Sequence, residues 1–216
     1  MFATFKCIHG FPFRRRAGSN GQSATEATPG CHFPKPRALP PSAQAQANFG
    51  VVVCSLEEVP LHHEAQITDM LTCLGPEHPV IRPNWPGLQN HMILRFHDVE
   101  TPSDEFICPT EEHVGQILRF GRNALRRCGK GERVRLLAHC AAGISRSAAA
   151  ALLILAVHYG KGREPHAVRH LYSIRPQARP NATIVSLGDK LLQRQGILLR
   201  SALAFRQQMT QQEMYA

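Results

Sequence analysis

His139-Cys140-Ala141-Ala142-Gly143-Ile144-Ser145-Arg146-Ser147 stands between two segments of opposite character, and the reading of that junction decides the fold. Before it, Val134–Ala138 is short and apolar, as a buried strand is. After it, Ala148–Val157 is an almost unbroken run of alanine and leucine, which forms helix readily. The nonapeptide therefore joins a strand to a helix N-terminus. Successive backbone N–H groups at such a junction point towards an anion, and the helix dipole adds partial positive charge. A cysteine is a nucleophile only as its thiolate, so a site built on Cys140 must favour negative charge before any substrate arrives.

Outward from this junction, strand and helix patterns alternate. Phe49–Ser55 reads as a first strand, Glu57–Gln66 as a short helix, Met70–Leu74 as a second strand and His91–His97 as a third. Thr110 is placed to cap a helix that carries Glu111 and Glu112 in its first turn and runs to about Arg127. Gly160 and Gly162 end the helix after the nonapeptide, and Pro165 suits the first turn of another that reaches about Ile174. Pro176 and Pro180 break the chain. Asn181 then precedes Ile184, Leu187, Leu191 and Leu192, whose spacing fits an amphipathic helix. The alternation predicts an α/β fold: a central, largely parallel sheet flanked by helices, with the loop at 139–147 between a strand and a helix N-terminus.

Cys-x5-Arg alone is a weak signal, since with seven cysteines it arises by chance roughly 0.6 times in a chain of this composition. Adding His before the cysteine, Gly at the third position after it and Ser or Thr after the arginine lowers that to roughly a few in ten thousand. Each residue type has a chemical use. Cys140 would attack phosphorus in line, and Arg146 would offer its planar fork to two equatorial oxygens, which lysine does not do. Gly143 permits a tight turn and close approach to phosphate, while Ala141 and Ala142 keep the floor small; Ile144 and Ser145 complete the ring of N–H donors. Ser147 would donate its hydroxyl to the cysteine sulfur, and His139 would order the loop by hydrogen bonds.

The stretch resembles the signature of the cysteine-dependent protein tyrosine phosphatase superfamily, and Ala-Gly-Ile-Ser-Arg-Ser in particular resembles the dual-specificity-like branch and its compact, bacterial-type members. The resemblance covers about residues 48–208. It implies a phosphomonoesterase acting through phosphocysteine on phosphotyrosine, and on phosphoserine or phosphothreonine, in proteins, with phosphate or a similar oxyanion in the pocket. It also implies a general acid upstream of the signature. Asp98 is the best candidate, because it follows the third strand and precedes the turn-like Glu100–Asp104; Asp104 and Glu105 compete with it. The Arg179-Pro180-Asn181 segment is also similar to the family's and is read as a turn and cap with no catalytic role.

No metal and no cofactor is called for. The twelve histidines are scattered, and His62-His63 and His91/His97 lack further ligands at motif spacing. Gly129-Lys130-Gly131 lacks the remaining residues of a nucleotide-binding phosphate loop. Residues 1–47 carry +5 of the formal net charge of +9 and six prolines, and are read as a basic, disordered extension. The catalytic domain is expected at 48–208, with a C-terminal tail at 209–216. The 19 basic and 15 acidic residues of 48–216 show no basic stripe with aromatics, which argues against a nucleic-acid partner. The apolar run Ala148–Val157 is too short to span a membrane. Seven cysteines without paired spacing fit a reducing compartment, the cytoplasm.

Rival chemistries share parts of the pattern. Phosphatases of inositol phosphates, phosphoinositides or RNA 5′ ends also use Cys-x5-Arg, although the loop here has no lysine between Cys140 and Arg146. Sulfur carriers of the rhodanese type and arsenate reductases use a cysteine loop but leave Asp98 unexplained. A phospho-residue binding module would keep the pocket without turnover.

Overall fold

The structure, a computed structural model, describes residues 48–80, 82–101 and 104–214. The extension read at 1–47 lies outside the described residues. Among the described residues four strands, β1 (Phe49–Ser55), β2 (Asp69–Leu74), β3 (Asn90–Arg95) and β4 (Val134–Cys140), form one sheet in the order β1-β4-β2-β3. Every pairing is parallel. Strands covered on both faces need no polar side, and all six residues of β2 are buried.

Among the described residues, five α-helices flank the sheet: α1 (Glu111–Gly129), α2 (Arg146–Tyr159), α3 (Glu164–Ile174), α4 (Ala182–Leu191) and α5 (Ile197–Met214). The poly-alanine and leucine character of α2 has a direct consequence. Arg146 through Ala156 are all buried, because α2 packs on β4 and β1 and is itself covered by α1, α3 and α4. Thr110 caps α1 as expected: its Oγ1 accepts the His113 N–H while His113 Nδ1 accepts the Thr110 N–H. Asn181 Oδ1 likewise accepts the Ile184 N–H at the start of α4.

The expected helix at Glu57–Gln66 is not formed. Only a 3-10 turn, Val59–His62, is present. Val59 is the sole buried residue of that segment, so a helix there would have no apolar face to bury, and Gln66 leaves with φ +54° to enter β2. At the other end, α5 runs as one helix to Met214, through residues 209–214 that the sequence reads as tail. Its start is held by Asp189, whose carboxylate accepts the N–H groups of Gly196 and Leu198.

Since β4 is interior, its carboxyl end opens where the neighbouring strands also end. The loops after β1, β3 and β4 meet there, the position at which parallel α/β sheets bind ligands.

Candidate active site

Cys140 is the last residue of β4 and is 1% exposed. Its Sγ accepts two hydrogen bonds, from the Gly143 N–H and the Ser147 hydroxyl, each at 3.2 Å. Gly143 has φ +69°, and a Cβ on it would lie 2.4 Å from the backbone of Cys54 and Ser55 at the end of β1. Only glycine fits that contact.

The loop carbonyls are all drawn outwards. Ala141 O accepts from Leu56 N, Gly143 O from Arg175 Nε and Ala142 O from Arg175 Nη2; Ile144 O accepts from Arg179 N, and Ser145 O from Ala149 N and Asn181 N. With the carbonyls fixed on the outside, the amide groups turn inward. The N–H groups of Ala142, Ile144, Ser145 and Arg146 meet no acceptor among the described residues. Unbonded N–H groups at the first turn of a helix are the arrangement that an anion nest requires.

Arg146 is 5% exposed and is anchored by Nη1 donating to Phe96 O at 2.9 Å. Its Nε lies 3.9 Å from Asp98 Oδ2. Asp98 stands just beyond β3, and its Oδ1 accepts from the Ser145 hydroxyl at 2.6 Å and from Asn181 Nδ2 at 2.9 Å. One carboxylate oxygen is thus held by two donors while the other is turned to the arginine. Asp104 and Glu105 are exposed.

His139 is fully buried beneath the loop. Its Nε2 is 2.7 Å from Thr72 Oγ1, which is also 2.8 Å from His91 Nε2. Burial, then the neighbouring His91, pushes the His139 pKa down to about 4, so the ring is neutral at pH 7. Cys54, by contrast, is a thiol at that pH: burial, reinforced by Glu58, raises it to about 12. His97 pairs with Glu77, so His91 and His97 are engaged separately. Among the described residues no three His, Cys, Asp or Glu side chains gather as a metal site would require, and no helix is long and apolar enough to cross a membrane.

Four contributors go beyond the sequence reading. Arg175, at the end of α3, ties the loop carbonyls to Glu58 at 3.0 Å, and Glu58 in turn accepts the Ser55 N–H. That N–H first, and Arg175 second, hold the Glu58 carboxyl below its usual range. Asn181 is more than a cap, since it also grips Asp98 and Val99 O. Glu100 accepts the Ala182 N–H at the start of α4, so the loop bearing Asp98 is docked on that helix. Arg175 before Pro176 was the visible hint, as a basic residue ending a helix reaches for carbonyls.

No protein-family model and no curated protein sequence matches the chain. Solved structures do. The phosphatase domain of Yvh1 from Chaetomium thermophilum is 21% identical, with a TM-score of 0.50 over 70% of this chain and 94% of that one. A mouse protein assigned as a dual-specificity phosphatase is also 21% identical, with a TM-score of 0.50 over 76% of this chain and 95% of that one. With a parallel sheet and the cysteine loop at the mouth of α2, the chain has the fold of these phosphatase structures.

Proposed function

We propose that the chain hydrolyses phosphomonoesters through a phosphocysteine, with phosphotyrosine in proteins as the first substrate and phosphoserine and phosphothreonine as further ones. One observation carries the reading: the Cys140 sulfur accepts the Gly143 N–H and the Ser147 hydroxyl at the mouth of α2, while Asp98 is held by Ser145 of the same loop and by Asn181. The Cys140 thiolate attacks phosphorus, forming an S–P bond as the P–O bond to the leaving group breaks. Arg146 and the loop N–H groups bind the three equatorial oxygens as their charge spreads. Asp98 gives its proton to the leaving oxygen; Oδ2 suits this, since Oδ1 already accepts two hydrogen bonds. In the second step Asp98 takes a proton from water, water oxygen bonds to phosphorus and the S–P bond breaks. The Ser147 hydroxyl then supports the departing thiolate.

Each of these roles is filled by a group of this chain, so the proposed reaction is metal-independent and uses no cofactor. The catalytic unit is taken to run from residue 48 through α5. A free thiolate further requires a reducing compartment such as the cytoplasm.

The test is phosphate release from phosphotyrosine and phosphoserine peptides, inositol phosphates and RNA 5′ ends, by the wild type and by Cys140→Ser. Phosphotyrosine peptide should be turned over fastest, and Cys140→Ser should bind phosphate yet release none. Full activity of that variant, strong inhibition by a chelator, or preference for inositol phosphates or RNA ends would each overturn the assignment.

A further inference from the structure

His97 immediately precedes Asp98 at the end of β3, and it is tied down on two sides. Its N–H donates to Ile107 O at 2.8 Å and its Nδ1 accepts the Ile107 N–H at 2.9 Å, so residues 97 and 107 are paired through main chain and side chain together. Because Nδ1 accepts, the neutral ring carries its proton on Nε2. That nitrogen lies 3.2 Å from Glu77 Oε2. The Phe106 ring packs against the edge of the same imidazole, with centroids 5.0 Å apart.

Glu77 belongs to the loop after β2, and that loop is built to present it. Arg95 of β3 donates Nη1 to Gly75 O and to His78 O, each at 2.8 Å, which fixes the loop against the end of β3. A Cβ on Gly75 would collide with the Glu77 carboxylate, so the carboxylate occupies the space that this glycine leaves open. Its other oxygen, Oε1, lies 2.7 Å from His78 Nδ1. The Glu77 main-chain N–H first, then His78 and His97, draw the carboxyl below its usual range against a smaller effect of burial, so it is an acceptor at pH 7. An ion pair this exposed adds little stability. Its chemical consequence is the choice of tautomer: with the proton on Nδ1 instead, that N–H and the Ile107 N–H would face each other and the pairing would open.

Asp98 is therefore held at both ends, its carboxylate by Ser145 and Asn181 and its main chain by the residue before it. A general acid must come within hydrogen-bond reach of the leaving oxygen, and a small misplacement costs rate without costing binding. Resting on the phosphatase reading above, we propose that His97 and Glu77 are positioning residues for the general acid: Glu77 selects the His97 tautomer that pairs with Ile107, and that pairing sets where Asp98 leaves β3.

The experiment uses the full chain and two esters, 4-nitrophenyl phosphate with a good leaving group and phenyl phosphate with a poor one, and reads kcat and KM for each. His97→Leu should lower kcat on phenyl phosphate by about tenfold, the size of one lost hydrogen bond, with little change on the nitrophenyl ester and in KM. His97→Asn supplies an amide oxygen close to the place of Nδ1, accepts the Ile107 N–H and should restore most of the loss. Glu77→Ala should cost about threefold on phenyl phosphate, the size of an exposed ion pair, and Glu77→Gln should restore it. Gly75→Ala keeps the charge but displaces the carboxylate, and should match Glu77→Ala. In the His97→Asn background Glu77→Ala should cost nothing further. Because the two esters are compared within one enzyme, loss of folded protein cancels. Equal losses on both esters, no loss on either, or an undiminished cost of Glu77→Ala beside His97→Asn would each overturn the proposal. If Asp98→Asn shows the leaving-group effect while the His97 and Glu77 variants do not, only the positioning role falls; if Cys140→Ser remains active, the phosphatase reading falls and takes the positioning role with it.

Discussion

The two halves of the candidate site are built differently. The cysteine loop is held through its main chain: its carbonyls from Ala141 to Ser145 are all bonded from outside, and Cys140, Gly143, Arg146 and Ser147 are buried. The loop carrying Asp98 is exposed and is held mainly by side chains, through Ser145, Asn181, Thr183 and Glu100. A phosphate cradle of fixed N–H groups needs no reorganisation when charge develops, whereas a proton donor must approach and withdraw. Changes in the cradle should therefore cost stability and binding together, and changes in the acid loop should cost turnover alone.

The sharpest break of that contrast is Asp98→Asn. Loss of a general acid lowers the rate by about 10²–10⁴. The loss should be greatest for esters with poor leaving groups, with the affinity for inorganic phosphate and the unfolding midpoint unchanged. Measuring kcat across aryl phosphates of graded leaving-group pKa checks this. A uniform loss across the series would move the acid role to another residue.

A second prediction concerns the floor of the cradle. His139 is buried and neutral, with its pKa lowered from 6.5 to about 4. Between those values the unfolded chain binds a proton that the folded chain does not, so the stability is fully present above the unfolded pKa and is lost as pH falls towards 4. The loss amounts to about 3 kcal/mol. His91, lowered by burial and then by Arg82, acts in the same direction. His139→Gln removes the largest of these proton uptakes. Urea unfolding at about pH 7 and about pH 4 should show a shallower fall in that variant. Parallel falls in the two proteins would remove His139 as the source.

What the sequence disclosed follows the range of the interactions involved. The strand Phe49–Ser55, the Thr110 cap and the helix after Cys140 are local patterns, and the structure forms them. The cradle's outer braces are not local. Glu58 and Arg175 are 117 residues apart, and Asn181 and Asp98 are 83 apart, so neither pairing leaves a periodic trace. Glu57–Gln66 misleads for the converse reason: its composition suits a helix, but the surrounding fold buries only Val59. The same applies to Asn181, which is legible as a helix cap through its bond to Ile184, three residues on. Its second bond depends on where the loop after β3 comes to rest.

Those two roles of Asn181 can be separated, and the smallest effect is expected there. Serine is also a good N-cap, so Asn181→Ser should preserve the start of α4 at a cost of only a few tenths of a kcal/mol. It removes the Nδ2 donor that holds Asp98 Oδ1 and Val99 O, leaving Ser145 as the remaining hydrogen-bond donor to that carboxylate. A hydrogen bond to a charged group is worth about 1.5–3 kcal/mol, and much of that loss is recovered by water at an exposed loop. The expected result is a fall in kcat of about fivefold on poor leaving groups, equivalent to about 1 kcal/mol, with little change on good ones. Asn181→Ala should add a loss of stability of about 1 kcal/mol through the missing cap. If serine and alanine were to lower stability and kcat to the same extent, the bond to Asp98 would be a by-product of helix packing, and the acid loop would be held as firmly as the cradle.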